Sequence, residues 1–112
     1  MIPTSLRIFV CTEPQDMRKS FDGLALAARQ FIGENPQNGA LFVFSNKRGH
    51  LLKVLWFDRN GYCILYKRLH RSRFVLPDPT DPLRPVAQID GRKLAELLTG
   101  VEKSRKRRGR LR

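Results

Sequence analysis

Four ionisable side chains fall within seven positions near the start of the chain: Asp16, Arg18, Lys19 and Asp22, in QDMRKSFDGLA at residues 15 to 25. The two carboxylates, joined by Asp58 from further along, are the raw material of metal-dependent phosphoryl chemistry, which needs acids converging on the ions. The two cations are the raw material of a phosphate contact. A third assignment needs no chemistry. Asp22 stands in the first turn of an expected helix, where unpaired N–H groups favour a negative charge, and Asp58 opens DRNG, a turn-forming sequence. Asp16 has a partner at hand in Arg18 or Lys19. The two cations gain nothing from a helix N-terminus, so the stretch reads as a helix start that presents Arg18 and Lys19.

Other catalytic patterns are missing. His50 and His70 stand twenty residues apart without Cys or acidic companions at metal-ligand spacing. The sequence contains no H-x-x-x-H, C-x-x-C, phosphate-cradling G-x-x-x-x-G-K-[ST] or G-x-S-x-G. No catalytic residue, metal or cofactor is expected, and the nuclease that Asp16, Asp22 and Asp58 would form is the weakest of the readings.

The charge points to a polyanion. Among 112 residues, 22 Lys and Arg oppose 10 Asp and Glu for a formal +12, and the isoelectric point near 10.9 is in the range of nucleic-acid-binding domains. Residues 103 to 112, KSRKRRGRLR, hold seven of the cations and no acid, which leaves +5 on residues 1 to 102. The expected organisation is one folded domain over 1–102 and a basic tail over 103–112 that stays disordered until it meets a polyanion, with Arg105, Lys106, Arg107 and Arg108 at its centre. The N-terminus lacks the pattern of a signal peptide, no apolar run approaches the roughly 20 residues of a membrane span, and Cys11 and Cys63 match no disulfide framework. A cytoplasmic protein with two buried thiols is expected.

The elements that position these residues follow from periodicity. LRIFVCT at residues 6 to 12 reads as a first strand. Phe21, Leu24, Ala25, Ala28, Phe31 and Ile32 then recur at helical spacing, with Ser20 as cap and Gly33 as stop. From residue 41 the chain reads as an antiparallel meander of LFVFS, LLKVLWF, YCILYKRL and RFVL, turned by NKRG and DRNG. PDPTDPLRP, residues 77 to 85, is a stiff connector, and a second helix follows Asp90 with Leu94, Leu97, Leu98 and Val101 on one face. The fold class is α+β, with both helices expected on one face of an antiparallel sheet.

If Asn60 and Gly61 form the hairpin turn, Arg59 faces Tyr62 and Lys53 faces Arg68. Two opposed cations on one sheet face repel unless an anion sits between them. Tyr62 and Tyr66 share that face, and Lys47, Arg48 and His50 stand in the neighbouring turn, so cations interleave with aromatic rings as in phosphate contact with base stacking. Solvated cations whose stems cover the tyrosines are the plain alternative. Lys67, Arg68, His70, Arg71 and Arg73 prolong the basic surface, Lys67 on the opposite side of the strand from Arg68. Arg18, Lys19, Arg48, Lys53, Lys67, Arg68, Arg71 and Arg73 are therefore the candidate nucleic-acid contacts of the folded part.

In order, QDMRKSFDGLA and GALFVFSNKRGHLLKVLWFDRNGYCILYKRLHRSRFVLP resemble the accessory protein, TnpB or Orf2, of the insertion-sequence-66 family of bacterial transposons. The resemblance runs from about residue 8 to residue 77 and continues more weakly through LAELLTGV. It implies a non-catalytic factor required for transposition beside two other element-encoded products, a separate transposase and a second accessory protein; the basic surface and tail add DNA, of the transposon ends, as an expected partner. Its recurrent residues fall here on Asp16 to Lys19, Phe21 to Leu24, Arg48, Gly49, Lys53, Trp56, Asp58, Gly61, Cys63, Lys67, Arg68, Arg73, Phe74 and Pro77. Ser20, Phe57, His70 and Ser72 depart from it, and His70 in place of Glu makes residues 67 to 73 more basic. A protein-interaction adaptor without specific DNA binding remains the alternative.

Overall fold

The first two apolar runs are too continuous for a sheet with a wet face. LRIFVC and LFVF lack the alternating polar positions of a half-exposed strand, and in the computed structural model, which describes residues 6 to 102, both become central strands covered on each side. All four residues of β1 (Ile8–Cys11) are buried, as are four of the five in β2 (Leu41–Ser45). β3 (Leu51–Asp58) and β4 (Gly61–Arg68) extend the sheet on one side, and a strand at Val86–Ile89 extends it on the other. Between them in sequence lies the two-residue β5 (Ser72–Arg73), so the Val86–Ile89 strand is β6, and the sheet runs β4-β3-β2-β1-β6.

The fold is α+β, with two departures from the expected architecture. The sheet is mixed: β1 and β2 run parallel, joined through α1 (Phe21–Ala27), whereas β2, β3 and β4 form the first three strands of the expected antiparallel meander; its fourth, RFVL, does not join, because Ser72–Arg73 pairs with Val101–Glu102 in a separate two-stranded sheet. The helices also lie on opposite faces. Leu24, Ala27, Ala28 and Ile32 of the first helical segment pack with Phe9, Cys11, Phe42, Phe44 and Leu55. Leu94, Leu97 and Leu98 of α2 (Gly91–Thr99) pack with Ile8, Val10, Val43 and Val54 on the other side. Two helices on one face would leave the second set of apolar side chains in water, at roughly 1.5–3 kcal/mol for each large one. β6 was not expected because its four residues follow a proline-rich run and carry an exposed Gln88; it forms by pairing antiparallel with the free edge of β1.

Local details also differ. Ser20 occupies the N-cap position of α1 without a side-chain cap bond, and the last turn widens into a π-helical segment, Ala28–Ile32. Phe21, the first residue of α1, is exposed, and Ala27 is buried. Cys11 is buried, and burial pushes its thiol pKa up; Cys63, on edge strand β4, is only half-buried, because no further strand covers it. Val101 is outside α2, since Gly100 at φ 79° ends the helix and sends the chain into β7 (Val101–Glu102), which pairs with β5. The second helix begins after Asp90 as expected, and Asp90 caps it, its Oδ1 accepting from Lys93 N at 2.9 Å.

The proline-rich connector also has a duty. Its Arg84 Nη1 donates to the Ile32 carbonyl at 3.0 Å, satisfying an orphan acceptor at the end of the first helix. Gly33, at φ 79°, permits this: a Cβ there would lie 2.5 Å from Arg84 Nη1. Gly33→Ala is expected to lower stability by about 1–3 kcal/mol through left-handed strain and loss of this bond. In urea unfolding, the double variant Gly33→Ala/Arg84→Met is expected to lose less than the two singles together; strict additivity would show that the contact contributes nothing.

Candidate nucleic-acid interface

The candidate surface starts at the β3–β4 hairpin. Asp58 pairs with Gly61, so the two-residue loop is Arg59-Asn60 rather than Asn60-Gly61, and Arg59 takes the positive φ of 60°. The register is thereby two residues from the expected one. Lys53 opposes Tyr66, not Arg68, and Arg68 opposes Leu51. The observed register replaces a cation facing a cation with a cation facing an aromatic ring. Lys53 Nζ stands 4.6 Å from the Tyr66 ring centroid.

Lys53 is 7% exposed. Its Nζ donates to the Lys19 carbonyl at 2.7 Å, and no carboxylate among the described residues pairs with it. A buried ammonium needs acceptors to offset its lost hydration, and here a backbone carbonyl and a π-face supply them. The consequence is positional. Lys53 fastens the end of the QDMRKS segment to β3, while Gln15 N donates to Ser45 O at 2.9 Å and fastens its beginning to β2. Met17, 7% exposed, is the segment's apolar anchor.

The segment's own cations point outward, each with a partner in the segment. Arg18 has a side chain 91% exposed and grips Asp16 by two guanidinium nitrogens, Nη2 to Oδ2 at 2.6 Å and Nε to Oδ1 at 3.1 Å. The Arg18 hydrogen bonds hold the Asp16 carboxyl down at about 2 instead of its ordinary 3.8, so it is ionised at neutral pH. Lys19 is half-exposed, its Nζ donating to Gln15 Oε1 at 2.8 Å.

Opposite this segment is the β2–β3 turn. Asn46 Oδ1 accepts from the backbone N–H of both Gly49 and Leu51, at 3.1 and 3.0 Å, which fixes the amide and puts Lys47 and Arg48 at the tip. With its oxygen so engaged, Asn46 presents Nδ2 to His50 Nδ1 at 3.0 Å, which leaves Nε2 as the donor of that ring. Between segment and turn lies a cleft of about 820 Å³ whose walls include Arg18, Lys47, Arg48, Leu51 and Tyr66, with Glu13 and Asp16 at one side. A second hollow of about 380 Å³, formed by His50, Leu51, Tyr66 and Arg68, shares Leu51 and Tyr66 with the first. The two are shallow, open hollows that adjoin at Leu51 and Tyr66, together called the groove; Tyr66 is 55% exposed.

The structure therefore divides the expected contacts. Arg18, Arg48 and Arg68 come together in the groove, joined by Lys47, His50 and Tyr66. Lys53 is beneath it, committed to Lys19. Lys67, on the other face of β4 as alternation requires, donates through Nζ to the Leu98 carbonyl at 2.7 Å and closes the C-terminal end of α2. Arg71 and Arg73 are exposed around β5 and line neither hollow. Arg105 to Arg108 lie outside the described residues. The three acids of the nuclease reading separate into their own duties: Asp16 with Arg18, Asp22 in the first turn of α1, Asp58 at the hairpin. Among the described residues no three His, Cys, Asp or Glu side chains gather where they could hold a metal ion. The capping duties of Lys67 and Arg84 carried no sequence signal, because each joins residues more than thirty positions apart.

On the α2 side, an apolar hollow of about 440 Å³ lies among Leu41, Val54, Trp56, Leu65, Leu94 and Leu98. No helix among the described residues is long and apolar enough to cross a membrane.

Fold and groove together define a small α+β protein with a concave basic surface on one side of its sheet and an apolar hollow on the other. The chain belongs to the IS66 Orf2-like family, whose model matches residues 6–108, and so to a family of accessory proteins of insertion-sequence transposition. The match extends into the basic run after residue 102. Two relatives come from Sinorhizobium fredii: "Uncharacterized protein y4hO", 38% identical over 104 residues, covering 91% of this chain and 88% of the relative; and "Uncharacterized protein y4jC", 33% identical over 76 residues, covering 68% and 65%. No solved structure matches the chain.

Lys53→Met keeps the apolar stem and removes the ammonium. It is expected to lower stability by about 1.5–3 kcal/mol, the net contribution of a hydrogen bond from a charged group, read from the denaturant midpoint. An unchanged midpoint would show that the bond to Lys19 does not hold the segment.

Proposed function

We propose that this protein is a non-catalytic transposition factor that binds DNA through the groove, with Arg18, Arg48 and Arg68 as its phosphate contacts and Lys47 beside them. The observation that carries the proposal is the convergence of cations from three separate stretches, residues 15 to 19, the β2–β3 turn and the end of β4, around one exposed aromatic ring. Folded domains spread surface charge for solubility; gathering it in a concavity concentrates the field on a ligand. Glu13 and Asp16 stand on one side, where Arg18 is already engaged with Asp16, so the main path for a backbone runs from Arg48 past Tyr66 to Arg68, with Arg18 at its margin. The basic tail adds attraction that carries no sequence information. The element's transposase, its other accessory protein and transposon-end DNA are the partners of this reading, in the cytoplasm.

The second reading is a protein-interaction adaptor, and the apolar hollow by Trp56 and Leu98 is the observation that favours it. One experiment separates them. The full chain and its Arg48→Ala/Arg68→Ala variant are titrated with terminal DNA of the element, as the duplex and as each separated strand, across a salt series. Both arginines are exposed, so the variant is expected to fold with unchanged circular dichroism. Loss of two phosphate contacts should flatten the slope of log K against log salt by about 1.4 for a single strand or about 1.8 for a duplex. Identical affinities and slopes for the two proteins on every form of DNA would remove the groove from the account and leave the adaptor.

A further inference from the structure

We infer that the groove takes an unpaired DNA strand, one base of which stacks on Tyr66, in preference to a closed duplex. This rests on the reading of the groove as a DNA site and names the form of DNA it holds.

Tyr66 is the reason. It sits on edge strand β4, 55% exposed, at the junction of the two hollows. A tyrosine so exposed usually owes its place to solubility or to a neighbour, but this ring has a fixed support. The Lys53 ammonium is 4.6 Å from its centroid and is itself anchored to the Lys19 carbonyl. The ring is thus held in position before any ligand arrives, and a base that stacks on it meets a preorganised platform. Stacking is available to every base in a single strand, because each has a free π-face. In a duplex those faces are covered by the neighbouring pairs, and only edges are offered to a protein.

The rest of the groove suits the same ligand. A helix entering the major groove is one way to read a duplex, and neither helix here is presented for it: α1 and α2 lie on the two faces of the sheet with their apolar sides inward. The cations line a concavity on both sides of the ring: Lys47 and Arg48 in one hollow, Arg68 in the other. A flexible single strand follows such a path, with phosphates on the cations and a base on the ring between them. His50, with Nε2 as donor, stands beside that base.

The test uses the full chain and an oligothymidylate of about 12 nucleotides, within the roughly 4–16 that single-strand-binding domains occupy. A mixed-sequence duplex of the same length and an oligouridylate are the comparisons, all at one salt concentration. The single strand is expected to bind at least about tenfold tighter than the duplex. Tyr66→Ala should weaken the single strand by about tenfold and leave the duplex within twofold, while Tyr66→Phe restores binding, as expected for stacking. Iodouracil placed in the single strand should photo-crosslink to Tyr66 in the unaltered protein, a readout independent of how the variants fold. The inference is overturned if the duplex binds equally or more tightly, if Tyr66→Ala weakens both ligands alike, or if the crosslink maps elsewhere. Oligouridylate binding more tightly than oligothymidylate would overturn the assignment to DNA. If instead Arg48→Ala/Arg68→Ala weakens duplex binding while Tyr66→Ala changes nothing, the DNA site stands and only its preference for a single strand fails.

Discussion

Lys53 holds the two sides of the groove in one arrangement. Its ammonium, buried under Tyr66 and bonded to the Lys19 carbonyl at 2.7 Å, ties the segment before α1 to β3. Without that tie, residues 15 to 20 would be held at their far end by the Gln15 to Ser45 bond and at Met17 by apolar packing alone. Arg18 projects from this segment, so its position relative to Arg48 and Tyr66 depends on a cation that touches no ligand. A buried polar network specifies a unique arrangement only when each member is satisfied, and this one is: the described residues contain no buried side-chain polar atom without a partner.

The same device recurs. Lys67 closes the carbonyl end of α2 and Arg84 that of the first helical segment. A cation suits both places, since the exposed carbonyls carry partial negative charge. Three of the cations that raise the formal charge to +12 therefore serve the fold. Net charge alone overstates how much of this surface is available to a polyanion, and the cations gathered around Tyr66 are a small subset of the total.

The sequence carried this information unevenly. The β2-β3-β4 meander, the first helix and its Gly33 stop, and the start of the second helix after Asp90 were legible because period and turn residues are local signals. The family resemblance was legible from an ordered series of short motifs. The hairpin register was not: Asn60-Gly61 is a strong local turn signal, and it lost to a pairing two residues away that sets Lys53 against an aromatic ring instead of against Arg68. A shift of two keeps every side chain on its face, which is why the groove face itself was foreseen with Tyr62, Tyr66 and Arg68 together. Lys53 and Lys67 read as surface cations because burial of a lysine depends on a distant carbonyl that no local pattern encodes. β6 and the placement of the helices on opposite faces are likewise tertiary outcomes, decided by the need to cover both sides of β1 and β2.

The most direct test is a chemical-shift map. The 15N-labelled full chain is titrated with a short single strand of DNA, and amide shifts over residues 6 to 102 are followed. Changes concentrated at Arg18, residues 47 to 50, and Tyr66 to Arg68 are expected, with the α2 side undisturbed. Changes centred instead on Trp56, Leu94 and Leu98, with the groove unmoved, would contradict the groove as the DNA site.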